Sequence, residues 1–309
     1  MALTSTASRP LLPAGAIVAS AALWGAWWMP LRALETRGLA GSWATVAVYT
    51  VALVLLGLPL VRRLAVHAGG WRDLALIALF SGTSLAAWNH AILVGEVVRA
   101  MLLFFLCPVW ATLITRFVLG QPLTAERLVA IPLGLAGAAI VLGVDTDIPI
   151  PRTVGDALAL TAGVLFAIAT VVVRRAEHLG DAPKTAATFA GCAAGALAIA
   201  LIFPVGAAPD GATLAALAPL LLSFAMLVLL PATWLEIWGN SRLDPGAVNV
   251  LFQIELLVAA LTAAAFADET LGWRELVGGA LIVGAGLIET VGQGLRLRHA
   301  NPRNQEATS

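Results

Sequence analysis

The chain has 309 residues, 60% of them hydrophobic and 12% charged, and its 18 basic and 18 acidic side chains cancel. Soluble domains carry roughly 25% charge, so this chain has about half the charge that a water-facing surface needs, and its mean hydropathy of +0.92 agrees. A soluble enzyme, a disordered scaffold, a secreted disulfide-rich domain and a basic nucleic-acid face are all excluded, which leaves a polytopic helical membrane protein.

Apolar runs bounded by charge, Gly or Pro predict helices over 13–35, 40–61, 73–95, 97–118, 124–144, 153–174, 184–205, 213–238, 244–266 and 272–294. Ten spans of about 21 residues use roughly 210 residues and leave short loops. The first run continues past Trp28 without a small-residue cleavage site, so it reads as a first transmembrane helix and not a removable signal. Cys107 and Cys192 fall inside apolar runs without metal-site spacing and read as packing residues. The polar tail after Gly294 reads as disordered. With the N-terminus inside, thirteen of the 18 Lys and Arg residues fall on the cytoplasmic side, so both termini are expected there.

Residues 119–138, LGQPLTAERLVAIPLGLAGA, align with 267–286, ADETLGWRELVGGALIVGAG, at a constant offset of 148. Leu123, Leu128, Val129 and Leu133 meet Leu271, Leu276, Val277 and Leu281, and Glu126-Arg127 faces Arg274-Glu275. Residues 1–150 and 151–309 thus read as two five-helix repeats. Five is odd, so the second must be inserted upside down, the architecture of many secondary transporters.

Leu23-Trp24-Gly25, Pro108, the Gly120-Gln121-Pro122-Leu123 elbow, Ile254-Glu255 and Asp268-Glu269-Thr270-Leu271 occur in this order over residues 13–294. In this the chain resembles the drug/metabolite transporter superfamily of EamA type. Two positions depart from the pattern: Gln121 stands where the family usually has Glu, and Leu256 replaces the Pro that usually follows the Glu of helix 9. The second leaves helix 9 without the proline of a matching hinge. The resemblance implies an all-α fold of ten transmembrane helices, with helices 1, 3, 4, 6, 8 and 9 around a central cavity and helices 5 and 10 at the periphery. Within the superfamily the chain is most similar to YddG-type exporters of aromatic and other neutral amino acids, which implies export from a bacterial inner membrane.

Polar groups within a bilayer are expensive unless they face water or a partner, so each is a site candidate. Asn249 and Gln253 are one turn apart and offer donors and acceptors to a zwitterionic substrate, or to a neighbouring helix. Glu255 lies about 16 Å into helix 9, near the bilayer midplane. It sits about 200° around the helix from Gln253 and reads as a proton relay or a structural carboxyl. Asn89 and His90 interrupt helix 3, and His90 could bind substrate, sense pH or bond a neighbouring carbonyl. The repeat places Trp238 opposite His90, with Glu236 and Asn240 beside it; an interfacial anchor explains Trp238 equally well. Trp24, Trp28 and Trp110 lie deep enough to wall a cavity for aromatic or aliphatic side chains or organic cations. Pro108, in the middle of helix 4, is the preferred hinge. Small faces on helices 5 and 10 allow close packing within the monomer or in a homodimer.

No enzyme motif is present, and a lone intramembrane histidine gives no metal site, so neither catalysis nor a cofactor is expected. No Lys or Arg occupies the middle of a span, which argues against polyanionic cargo. The expectation is a secondary transporter of small neutral or amphipathic metabolites, foremost aromatic and other neutral amino acids, working by alternating access. A multidrug or quaternary-amine exporter of the same fold, and a membrane receptor or assembly protein, are the alternatives.

Overall fold

A computed structural model describes residues 11–39, 41–64, 70–95, 97–143, 151–203, 207–266 and 272–299, and all of its regular structure is helical among them. The elbow over 268–271, Arg9 and the last ten residues lie outside the described residues. In chain order the helices are α1 (Leu11–Glu35), α2 (Ser42–Leu64), α3 (Trp71–Val94) and α4 (Val97–Phe104 with Cys107–Val118). They continue as α5 (Ala125–Val141), α6 (Val154–Arg175), α7 (Asp181–Ile202) and α8 (Gly211–Asn240). The last are α9 (Pro245–Phe252 with Ile254–Phe266) and α10 (Trp273–His299). Among the described residues, eight are long and apolar enough to cross a membrane. In α2 the apolar stretch covers Ser42–Gly57. At 17 residues α5 is about 26 Å long, somewhat short of a hydrocarbon core of about 30 Å.

Local chemistry sets the ends. Thr153 caps α6 by accepting from Asp156 N at 3.1 Å, while the Asp156 carboxylate accepts from Thr153 N, a reciprocal capping box. Asp210 and Asp244 cap α8 and α9 in the same sense. Gly120 ends α4 at φ +66, where only glycine sits without strain, and Gln121 N reaches back to Thr115 O at 3.2 Å. Two boundaries correct the expectation. α7 starts at Asp181 because Pro183 is tolerated in a first turn. α10 runs to His299, so residues 295–299 are helical and not a disordered tail. No breaker precedes Pro302, and Arg296 and Arg298 suit the negative end of a helix.

The helices pair across the two halves. α1 lies on α8 and α9, α6 on α3 and α4, α2 on α7, and α5 on α10. Exchanging the halves (α1 for α6, α2 for α7, and so on) maps this pattern onto itself. Close crossings use glycine. A Cβ on Gly137 would lie 2.6 Å from Gly278 O, and one on Gly278 would lie 2.5 Å from Gly137 O, so α5 and α10 touch backbone to backbone.

Most interruptions obey the same symmetry, although α1 also breaks at residues 26–27 where α6 runs unbroken. π-helical turns occupy Ala78–Gly82 in α3 and Ala225–Leu229 in α8, equivalent to within one residue. In α8 the cause is Pro231, which cannot donate to the carbonyl four residues back. In α3 it is α7, whose Gly191 lies so close to the Ala78 carbonyl that a side chain there is impossible. α4 breaks at residues 105–106 and α9 at Gln253, aligned by the offset of 148. Pro108 explains the first. The second arises without proline: Gln253 N bonds Val250 O at 3.3 Å and Leu256 N bonds Gln253 O at 3.1 Å, both in 3₁₀ register. The missing proline at Leu256 does not leave α9 continuous.

Candidate functional site

Six helices converge on one small cavity. α1 contributes Trp24, α3 contributes Ser84, Leu85 and Trp88, and α4 and α6 contribute Phe104 and Phe166. α8 supplies Glu236, and α9 supplies Phe252 and Glu255. These are the helices that the resemblance placed around the centre. Phe104 and Phe252 are repeat equivalents, each the last residue before the break in its helix. Trp88 and Glu236 are also equivalents, so the frame is symmetric while its chemistry is not.

The walls are mostly aromatic. Trp88 lies 4.5 Å from Phe104 between ring centroids, Phe104 lies 5.8 Å from Phe166, and Phe166 lies 5.1 Å from Phe252. The cavity they border is about 20 Å³, with room for one or two waters. Drug-sized ligands need roughly 300–1,000 Å³. The conformation is therefore closed, and not the roomy chamber that a bound solute requires.

Both ends of the bundle show what closes it. At one end a Cβ on Gly155 of α6 would fall 2.4 Å from Gly95 Cα, just past α3. At the other, a Cβ on Gly239 of α8 would fall 2.8 Å from the Ile17 side chain and 3.0 Å from Pro13 O of α1. Midway, the backbone of α9 at Glu255 lies against Gly25 of α1.

The polar content of the cavity is acidic. Trp24 Nε1 donates to Glu236 Oε2 at 3.2 Å, and Glu255 shares the same space. No Lys or Arg is among the lining residues. Ser84 donates to Ala162 O at 2.8 Å and so pins α3 to α6, as Ser20 pins α1 to α8 through Ala232 O at 2.8 Å. Among the described residues no group of His, Cys, Asp and Glu could hold a metal ion.

Of the residues singled out in the sequence, Trp24, Glu236 and Glu255 line this cavity and the others lie elsewhere. Gln253 follows the alternative of contact with a neighbouring helix: its amide lies at Gly134 of α5, where a Cβ would lie 2.0 Å from Oε1. Asn249 is also turned aside, donating to Thr170 Oγ1 at 3.1 Å and Pro245 O at 2.7 Å. Trp28 donates to Thr262 Oγ1 at 3.0 Å and fastens α1 to α9. His90 pairs through Nδ1 with Ser42 Oγ at 2.9 Å and fastens α3 to α2. Asn89 is buried among packed helices, and Trp110 is half-buried on α4. Trp238 stacks under Arg242, 4.4 Å from the ring centroid, as an end anchor. Pro108 is the second residue after the break in α4.

Sequence reasoning missed Ser84, Leu85, Trp88, Phe104, Phe166 and Phe252 as cavity residues, and named Glu236 only beside Trp238. The repeat carried a signal for part of the set. Moving Phe104 by 148 gives Phe252, an identical aromatic at equivalent helix positions.

The EamA-like transporter family matches the chain over residues 12–143 and again over 153–289. The chain belongs to this family and is a multi-pass integral membrane protein built from two EamA repeats. No curated protein matches it. A solved crystal structure of a protein is similar at 19% identity with a TM-score of 0.70, over 93% of this chain and 99% of its own, and shows the fold alone.

Proposed function

We propose that the protein is a secondary transporter of small amphipathic organic cations, exchanged for protons at Glu236 and Glu255. In this reading all ten helices span the bilayer, residues 1–150 and 151–309 are oppositely inserted halves, and both termini are cytoplasmic. The halves rock between conformations open to either side, and the closed form described above lies between them.

The observation that carries the substrate class is a cavity with aromatic walls, two carboxylates and no facing cation. A cation over an indole or phenyl face is attracted by the ring quadrupole, by about 2 kcal/mol where water is excluded. Two carboxylates that share so dry a space cannot both be charged without a cation between them, since like charges at short range and low dielectric repel by several kcal/mol. Protons or a cationic cargo can supply that charge, and each displaces the other. Neutral amino acids, expected from the resemblance, find aromatic walls here but no cation for their α-carboxylate.

Proteoliposomes containing purified protein test this. Tetraphenylphosphonium should show saturable flux driven by an opposing proton gradient, Glu255→Gln should weaken the pH dependence, and Glu236→Gln combined with it should abolish it. Flux of labelled phenylalanine without tetraphenylphosphonium flux would restore the amino-acid reading. No flux of either would favour a receptor or assembly role.

A further inference from the structure

Arg127, in the first turn of α5, is 3% exposed and is the hub of a buried charge cluster. Its Nη2 donates to the carboxylate of Asp244, which caps α9, and to Glu289 Oε1 of α10 at 2.8 Å. The guanidinium lies flat against the first turn of α9, for a Cβ on Gly246 would sit 2.4 Å from its Cζ. One turn further, Val250 packs with Ala130 of α5 and Ala285 of α10 in a fully buried cluster. At the break, the Gln253 amide occupies the space left by Gly134.

The N-terminal piece of α9 is therefore held by the α5–α10 pair at its first turn, at Val250 and at Gln253, while also packing on α4, α6 and α1. Beyond Gln253 contact with α1 becomes dominant. A Cβ on Gly25 of α1 would fall 2.6 Å from Glu255 O and 3.0 Å from Ala259 N, so the backbone of the second piece lies on α1. The second piece also packs on α5 and α10, as where Leu257 meets Gly279.

The repeat equivalents of Arg127, Asp244 and Glu289 are Glu275, Glu96 and Val141, two acids and an aliphatic side chain that offer no guanidinium hub. α4 packs on α3, α6 and α9, and makes no comparable contact with α5 or α10.

We infer that Arg127 is a positioning residue for Glu255. By holding Asp244 and Glu289 it fixes the N-terminal piece of α9 to the α5–α10 pair, so that α9 bends at Gln253 and only the piece bearing Glu255 moves with α1. This rests on the reading of Glu255 as a cavity residue that serves transport.

Cysteine pairs test it, in a background with Cys107 and Cys192 replaced and flux verified. Disulfide yield for A130C/V250C should change by less than about twofold on adding tetraphenylphosphonium, whereas the yield for L257C/G279C should fall by about threefold or more. Oxidised A130C/V250C should keep at least about half of its reduced flux, and oxidised L257C/G279C less than about a tenth. If the A130C/V250C bond stops flux in protein that transports when reduced, the anchor is overturned. As a check that needs no added cysteine, Arg127→Met should raise KM by about tenfold at similar Vmax, and Arg127→Lys should restore most of the loss. Wild-type KM in Arg127→Met would also overturn the anchor. Wild-type protein that moves no tetraphenylphosphonium sinks the cation reading instead, and phenylalanine then serves as the cargo in the same tests.

Discussion

If the two glycine crossings are what hold the bundle shut, adding one methyl group at each should open opposite faces. In Gly155→Ala the new Cβ would begin 2.4 Å from Gly95 Cα and 2.6 Å from Gly95 N, both backbone atoms. Ordinary contact begins near 3.4 Å, so α3 and α6 must part by about 1 Å. Overpacking of this kind costs about 1–3 kcal/mol; at about 2 kcal/mol, the ratio of closed to open forms falls about 30-fold. Gly239→Ala meets the flexible end of Ile17 at 2.8 Å and should cost about 1 kcal/mol, a shift of about fivefold. The assay is labelling of Leu85→Cys in the cavity by a membrane-impermeant maleimide, applied to one face of the membrane at a time. The native thiols are 1% and 0% exposed and should stay silent. Gly155→Ala should raise labelling from the face that holds residues 95 and 155, and Gly239→Ala from the opposite face. Increases from the same face, or none with Gly155→Ala, would refute two-ended closure.

Other perturbations probe the supports. Gly137→Leu drives a side chain into the Gly278 carbonyl and Ile282, and should lower stability by about 3 kcal/mol, read as an earlier thermal transition in detergent. Trp24→Phe keeps a ring in the wall but removes the donor to Glu236, at a cost of about 1–3 kcal/mol; an unchanged transition would show that this bond contributes nothing. The Asp210 carboxyl lies outside the helices and is held below the ordinary carboxylate range because it accepts from Thr213 N at 2.7 Å. A depressed group stabilises above its unfolded value, and the effect fades as pH falls through the folded one. Hydrogen exchange at Thr213 N–H, corrected for its intrinsic pH dependence, should therefore lose protection at acid pH, and Asp210→Ala should lose it at every pH.

The helices were legible because the bilayer enforces long apolar runs: 153–174 became Val154–Arg175, and 244–266 became Pro245–Phe266. Their interruptions were legible only where proline announces them. The break at Gln253 and the π-turn at Ala78 arise where another helix presses close, at Gly134 and at Gly191, and nothing local records that pressure. The lining of the cavity was only partly legible for a related reason. Gln253 and Glu255 lie on opposite sides of one helix, so only one could face the centre, and hydrogen-bonding capacity favoured the amide. Packing decided otherwise, because Gly134 leaves a notch for the amide and Gly25 draws the Glu255 turn toward α1.

Duplication also explains why the frame is symmetric and the chemistry is not. Helix pairing, both π-turns, the breaks in α4 and α9 and the Phe104/Phe252 pair survive exchange of the halves, since a proline in one half and a close backbone approach in the other interrupt a helix at the same place. Charge does not survive it. Glu236 faces Trp88 across the repeat, Glu255 corresponds to Cys107, and Arg127 corresponds to Glu275. Both cavity carboxylates therefore belong to the second half, while Trp24, Trp88 and Phe104 of the first half supply indole and phenyl faces.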